Sequence, residues 1–315
     1  MRILFTTAFL FFVSVNLAQT KRLVGQVVDS VSLQPLPYVN IVLEKEEKGI
    51  STDKEGKFSF IVDKVSDTTV LKFSFVGYTS RKITIKELQG KLLKLSPSIT
   101  GLDEVKLYNV KEKHTKRIND FRIGEIVGLG NFSGGQYPST VAKYYPKPEG
   151  FDNVCFIKQI EIRYFSEEFT IYKETKFRLR ILAVNSEGKP GQDLLNQNLI
   201  VEKSSNQFKS KINILPYKIA VPENGFFVAV EHLFIEENSY IEEKDYRLND
   251  TLVYKNVKLK KYGPIFKGVL VENTENFNAY FKDTNGWRKM NRLDNSSSLL
   301  SGKIPTPAFK ITLTD

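Results

Sequence analysis

Apolar and polar residues alternate along most of the chain in short runs, and the runs end in clusters of Gly, Pro, Asp, Asn or Ser. Leu71, Phe73 and Phe75 fall on one side of such a run, with Lys72 and Ser74 on the other. A period of two puts successive side chains on opposite faces of an extended strand, one face core and one wet. RLVGQVVD, YVNIVLE, KFSFIVD, VLKFSF and RKITI are short and rich in Val, Ile and Phe, as strands are. No helical crossover separates them, so they are expected to pair mainly antiparallel, in a sandwich or barrel.

The same pattern returns after residue 126 in NVCFIKQIEIRYF, TKFRLRILAVN, NLIVEK, GFFVAVEHLFIE and PAFKITLTD, with turns at SEGKPGQDLL and VPENG. The chain therefore reads as all-β, and 315 residues suit about two domains. Residues 19–98 form the first unit and residues 126–315 a jelly-roll-like β-sandwich. Between them, residues 99–125 include VKEKHTKRIND, charged and without apolar period, which reads as an exposed linker or a short polar helix.

The first 18 residues change the compartment. Met1-Arg2 gives a positive start, Ile3 to Val13 an apolar run, and NLAQ small residues at the cleavage position. These are the parts of a secretory signal peptide cut after Ala18. The run is too short to span a bilayer, which takes about 20 apolar residues. The expected location is the periplasm, the outer-membrane surface or outside the cell.

Charge narrows the partners. Forty-six Lys and Arg against 36 Asp and Glu give a formal +10, but the cations are scattered among acids, as in EKEEKG and YIEEKDYR. Nucleic acid is therefore not an expected partner, since long basic stripes and stacking modules are missing.

Candidate chemistry is sparse. Cys155, the sole cysteine, sits among apolar residues and reads as a buried small hydrophobe. His114 lies among lysines with no acid or nucleophile partnering it locally and reads as a solvated His, and Glu231-His232 are adjacent strand residues that point to opposite faces. GISTDKEGKFSF, residues 49–60, has acidic residues but lacks alternating oxygen ligands and a distal bidentate Glu, so it reads as a hairpin turn, with Asp53 opening it and Gly56 closing it. GLGNFSGG lacks the Lys-Ser/Thr ending of a phosphate loop, and no GxSxG follows a strand. No catalytic residue, metal or cofactor is expected. Tyr137, Tyr144 and Tyr145 beside Gly134-Gly135, and Trp287 beside a turn, are the candidate ligand-binding residues, as aromatic platforms for sugar, against the favoured reading of plain loop packing for the tyrosines and against burial at the sandwich edge for Trp287.

Several motifs then occur in a familiar order: Gly25-Gln26-Val27, Pro35-Leu36-Pro37 leading into Val39-Asn40-Ile41, Thr52-Asp53 with Gly56 and Phe58, and FVGY at Phe75 to Tyr78. This stretch, about residues 22–95, resembles the carboxypeptidase-regulatory-like (transthyretin-like) domain of exported Bacteroidetes-type proteins. The resemblance implies a small Greek-key β-sandwich and no activity of its own. In zinc carboxypeptidases such a domain accompanies a catalytic one, but His114 and His232 are the only histidines and neither begins an HxxE. LDEV at Leu102–Val105 resembles the segment after this domain in TonB-dependent transporters, yet too little chain follows for a membrane barrel. The C-terminal half is similar to uncharacterised exported proteins that carry the domain.

The expected function is a non-enzymatic cell-envelope binding protein for a glycan or protein partner. A glycan hydrolase with dispersed carboxylates, or a structural accessory of an outer-membrane complex, are the alternatives.

Overall fold

The computed structural model describes residues 20–88, 92–98, 110–118, 126–151, 154–165, 171–248, 251–272, 279–291 and 302–315. The expected signal peptide and most of the expected 99–125 linker lie outside the described residues.

The first unit comprises β1 (Lys21–Asp29), β2 (Asn40–Leu43), β3 (Lys48–Ser51), β4 (Lys57–Val62), β5 (Val70–Ser74), β6 (Arg81–Thr84) and β7 (Leu92–Leu95). They form two sheets, ordered β4-β1-β7 and β3-β2-β5-β6. Alternation sets the inward face: in β4, Phe58, Phe60 and Val62 are buried and the residues between them exposed. Val27, Phe58 and Val62 from one sheet meet Ile41, Leu71 and Phe73 from the other in one core. Each such side chain contributes about 1.5–3 kcal/mol when fully buried.

The turn in residues 49–60 forms, but not as a hairpin. Asp53 accepts from the backbone N–H groups of Glu55 and Lys57 through its side chain, at 2.9 and 2.8 Å. Gly56 takes φ +70°, and a Cβ there would meet the Val27 carbonyl oxygen at 2.6 Å. The strands on either side part company, however: β3 pairs with β2, and β4 pairs with β1. The chain crosses between the two sheets of the sandwich here. Local turn chemistry is the same in both cases, so sequence does not separate a hairpin from a crossover.

The second unit opens with β8 (Thr115–Ile118), β9 (Ile126–Leu129), β10 (Thr140–Tyr145), β11 (Phe156–Arg163) and β12 (Thr175–Val184). There follow β13 (Pro190–Asp193), β14 (Leu199–Lys203), β15 (Lys209–Asn213) and β16 (Phe226–His232). A long two-stranded ribbon, β17 (Ser239–Leu248) with β18 (Thr251–Tyr262), comes next. The last strands are β19 (Phe266–Val271), β20 (Ala279–Asp283), β21 (Gly286–Lys289), β22 (Ile304–Pro307) and β23 (Lys310–Thr314).

One layer is a seven-stranded sheet, β13-β12-β16-β10-β20-β21 with β14 beside β12. The other layer comprises β15-β11-β23-β8 and β22-β19-β9. Phe177, Leu179 and Val230 of the first meet Ile160, Ile162 and Ile311 of the second in a continuous core that also takes in Phe266 and Phe309. The fold is all-β, with the short helix Ile85–Leu88 a single turn, and no helix of the described residues is long and apolar enough to cross a membrane.

The charged segment around His114 departs from the linker reading. Its residues 115–118 form β8, which pairs with β23. Thr115, Lys116 and Arg117 are exposed, so the strand rests on main-chain bonds at a sheet edge and shows no apolar period. His114 also has an acid after all: its Nδ1 lies 2.9 Å from Asp315 Oδ2, and its backbone N–H donates to Asp315 Oδ1.

Candidate functional site: a cavity between the two sandwiches

Alternation along β16 gives the seven-stranded sheet two unlike faces. Phe226, Val228 and Val230 enter the core, while Phe227 and Ala229 belong to a separate cluster on the outer face. Glu231 shares that outer face, opposite Arg178 on β12 and Thr140 on β10. Two residues further along the strands, Ala229 faces Arg180 and Ala142. The outer face is thus ionic at one end, and at the other it is apolar, where Phe227, Leu182 and Tyr280 pack.

The first sandwich sits on the ionic end. Asn40 donates to Glu231 Oε1 at 2.8 Å and accepts from the Ser51 hydroxyl at 2.9 Å. Arg178 donates to Glu231 and to the Tyr38 carbonyl, and its Nε reaches Asn198 at 2.7 Å. Main-chain bonds from Gly49 to Gln136 and from Ser51 to Phe234 close the outer edge of β3, which would otherwise be an open template for another strand. Tyr38, Leu233 and Ile235 add an apolar contact.

The charges at this junction are buried and mutually satisfied. Arg178 is 1% exposed and Glu231 4%. Burial alone would raise the Glu231 carboxyl, but Arg178 and Arg180 outweigh it and hold it at about 2. Burial pushes the Arg178 guanidinium down, against the pull of Glu231. Arg180 also loses solvation, yet Asp193 and Glu231 more than restore its charge. It grips Asp193 with two parallel bonds, of 2.9 and 2.7 Å, the fork geometry that favours Arg over Lys.

Beside this network lies a cavity of about 460 Å³ lined by both sandwiches. The first contributes Asn40, Glu44, Lys72 and the Phe75–Tyr78 turn; the second contributes Arg180, Gln192, Asp193, Asn196 and Lys282. Phe75 lies under the Arg178 guanidinium, 5.2 Å from ring centre to Cζ. Tyr78 donates to Asp29 at 2.7 Å and so fixes the turn to β1. Each acid on the wall is held by a cation. Glu44 lies between Lys72 and Lys82 at 2.8 and 2.7 Å, and Asp283 meets Arg288 at 2.6 Å. Lys282 contacts the Trp287 ring at 5.7 Å. Burial of its ammonium and the nearby Arg180 push it down to about 8, although the residue as a whole is exposed, so water tempers that shift.

These arrangements coincide with a known domain. Residues 23–107 match the CarboxypepD_reg-like domain family. The first sandwich is a carboxypeptidase-regulatory-like domain. It covers well under half of the chain, and no curated protein matches the sequence. Within this domain the Asn40 of the PYVNI stretch and the FVGY turn face the second sandwich and its cavity.

The aromatic candidates separate. Tyr144 and Tyr145 point to opposite faces of β10 and cannot form one platform. Tyr145 is removed from solvent, stacked on Phe226 at 5.7 Å with its hydroxyl donating to the Phe309 carbonyl, so no ligand reaches it. Tyr144 is half-buried and donates to the Asn224 carbonyl at 3.0 Å. Tyr137, 7% exposed, lines the cavity. Trp287 packs half-buried on the apolar end of the outer face. Sequence reasoning missed Asn40, Arg178, Arg180 and Lys282. Two arginines at i and i+2 within the apolar run FRLRILAV are the signal that could have found part of the site. Cys155 is fully buried, with its thiol pushed up by loss of solvation. Among the described residues no group of three or more His, Cys, Asp or Glu is placed to hold a metal ion.

Proposed function

We propose that the chain is an exported, non-enzymatic binding protein of the cell envelope, and that the cavity between its two sandwiches holds a hydroxyl-rich ligand, the end of a glycan. The observation that carries this reading is the wall itself: amides, hydroxyls and fully paired ions from two domains converge on one concavity. Such a wall offers donors and acceptors fixed in advance, which lowers the ordering cost of binding a polar molecule.

The hydrolase alternative needs one carboxyl kept protonated as general acid, with its pKa raised. The shifts resolved at the cavity run the other way. Two hydrogen-bonded lysines lower Glu44, and two arginines lower Glu231. Both are locked as anions, which favours holding over turnover.

The test is calorimetry with fragments of envelope glycans, on the parent protein and on Gln192→Ala and Lys282→Ala. Binding that weakens about tenfold in either variant, a loss near 1.4 kcal/mol, supports the reading. New reducing ends appearing in the mixture would establish the hydrolase instead, and unchanged affinity in both variants would remove the cavity from consideration.

A further inference from the structure

The four-stranded sheet of the second sandwich presents its other face outward, and that face is basic. Ile160, Ile162, Ile311 and Leu313 fill the core, so the residues alternating with them point away from it. Residues paired directly across strands share a face. Lys310, Glu161 and Lys211 therefore stand in one row across three strands. Arg163 and Lys209 form the next row, and Arg117, Thr312 and Gln159 the row on the other side.

Glu161 is the single acid in these rows. It pairs with Arg163 at 2.8 Å; burial would raise its carboxyl, but Arg163, Lys310 and Lys209 together lower it. Beyond that pair, Lys209, Lys211 and Arg117 stand exposed on the same face. The surface is also hollow: a depression of about 720 Å³ is bordered by Arg117, Lys211, Lys310 and Thr312.

We propose that this face binds an acidic polysaccharide, a surface separate from the cavity between the sandwiches. Lys310 and Lys211 flank β11 two strand spacings apart, roughly 10 Å, about the reach of one disaccharide. Thr312, Gln159 and Asn213 lie between and beside the cations and suit hydroxyl groups. The rows contain no aromatic ring on which a base could stack, and no large apolar side chain that could enter a bilayer. A hydroxyl-rich chain bearing carboxylates fits better than nucleic acid or an anionic lipid surface.

The experiment compares immobilised polygalacturonate, its fully methyl-esterified form, single-stranded DNA and phosphatidylglycerol vesicles, each at low and at physiological salt. Expected is binding to polygalacturonate that weakens with salt, is absent with the ester, and drops about tenfold or more in K211E/K310E. Circular dichroism and the thermal midpoint confirm folding of that variant, and K211Q/K310Q supplies the same test with a smaller perturbation. Lys282→Ala should bind polygalacturonate like the parent, which separates this face from the cavity. No binding at low salt, equal binding of the ester, tighter binding to DNA or vesicles, or indifference to both double variants would each overturn the proposal.

Discussion

Asn40 and Glu231, 191 residues apart in sequence, meet through a 2.8 Å hydrogen bond from amide to carboxylate across the junction of the two sandwiches. Glu231 in turn answers two arginines, so one carboxylate organises both domains. Replacing it with Ala leaves the buried Arg178 without the carboxylate it is hydrogen-bonded to. The expected loss is about 3–5 kcal/mol, typical of a broken buried ion pair. Asn40→Ala removes one charge-assisted bond and should lose about 1.5–3 kcal/mol. Urea midpoints measure both, and near-parental stability of Glu231→Ala would contradict the role given to the network.

Acid should act in two successive windows that meet between pH 4 and 4.5. His232 is fully buried, donates from Nε2 to the Pro264 carbonyl at 3.1 Å, and is held neutral: burial lowers it from 6.5 to about 4. As pH falls below 6.5 the unfolded chain takes up this proton first. Stability is therefore full above 6.5 and declines to 4 by about 1.4 kcal/mol per pH unit, about 3 kcal/mol in all. Glu231 is a depressed acid, shifted from 4.5 to about 2, so its contribution is full above 4.5 and is lost as pH falls toward 2. Denaturant titrations across the range should show both declines, and His232→Gln should flatten the upper one alone.

Gly56→Ala tests the crossover turn. The substitution forces a side chain onto φ +70° and against the Val27 carbonyl, and should lower stability by more than about 1 kcal/mol. Asp53→Ala removes two side-chain acceptances and should lower it by about 1–2 kcal/mol. Neither calcium nor a chelator should move the thermal midpoint of parent or variants, because Asp53 is engaged with its own backbone. A calcium-dependent midpoint would reinstate the loop as a metal site.

Cys155 should be silent in the native state. It is buried and its thiol is pushed up, so the reactive thiolate is scarce and inaccessible. A chromogenic disulfide reagent should label it only when denaturant is present, and rapid native labelling would show that the core opens locally.

The alternating pattern was enough to read the strands, because burial on one face of a sheet leaves a mark every second residue. Phe58, Phe60 and Val62 carry that mark and lie in the core as their spacing requires. Three things escaped it. Polar β8 lacks the mark because an edge strand is held by its backbone. The parting of β3 and β4 is a matter of which sheet each strand joins, which a shared turn chemistry does not record. The site was hidden because its members come from β2, β12, β16 and β20 and acquire meaning only when the sandwiches meet. Tyr144 and Tyr145 misled in the opposite sense: neighbours in sequence, they are placed on two different surfaces.

Arg178 bonds a carbonyl of one sandwich while its charge is balanced by an acid of the other. Neither half can melt alone without breaking the bonds that tie Arg178 and Glu231 to the Tyr38 carbonyl and the Asn40 amide. Heat or denaturant should consequently take the molecule apart in a single cooperative step, and the regulatory-type module, separated from its companion, would expose the bare rim of β3 and tend to stick to itself.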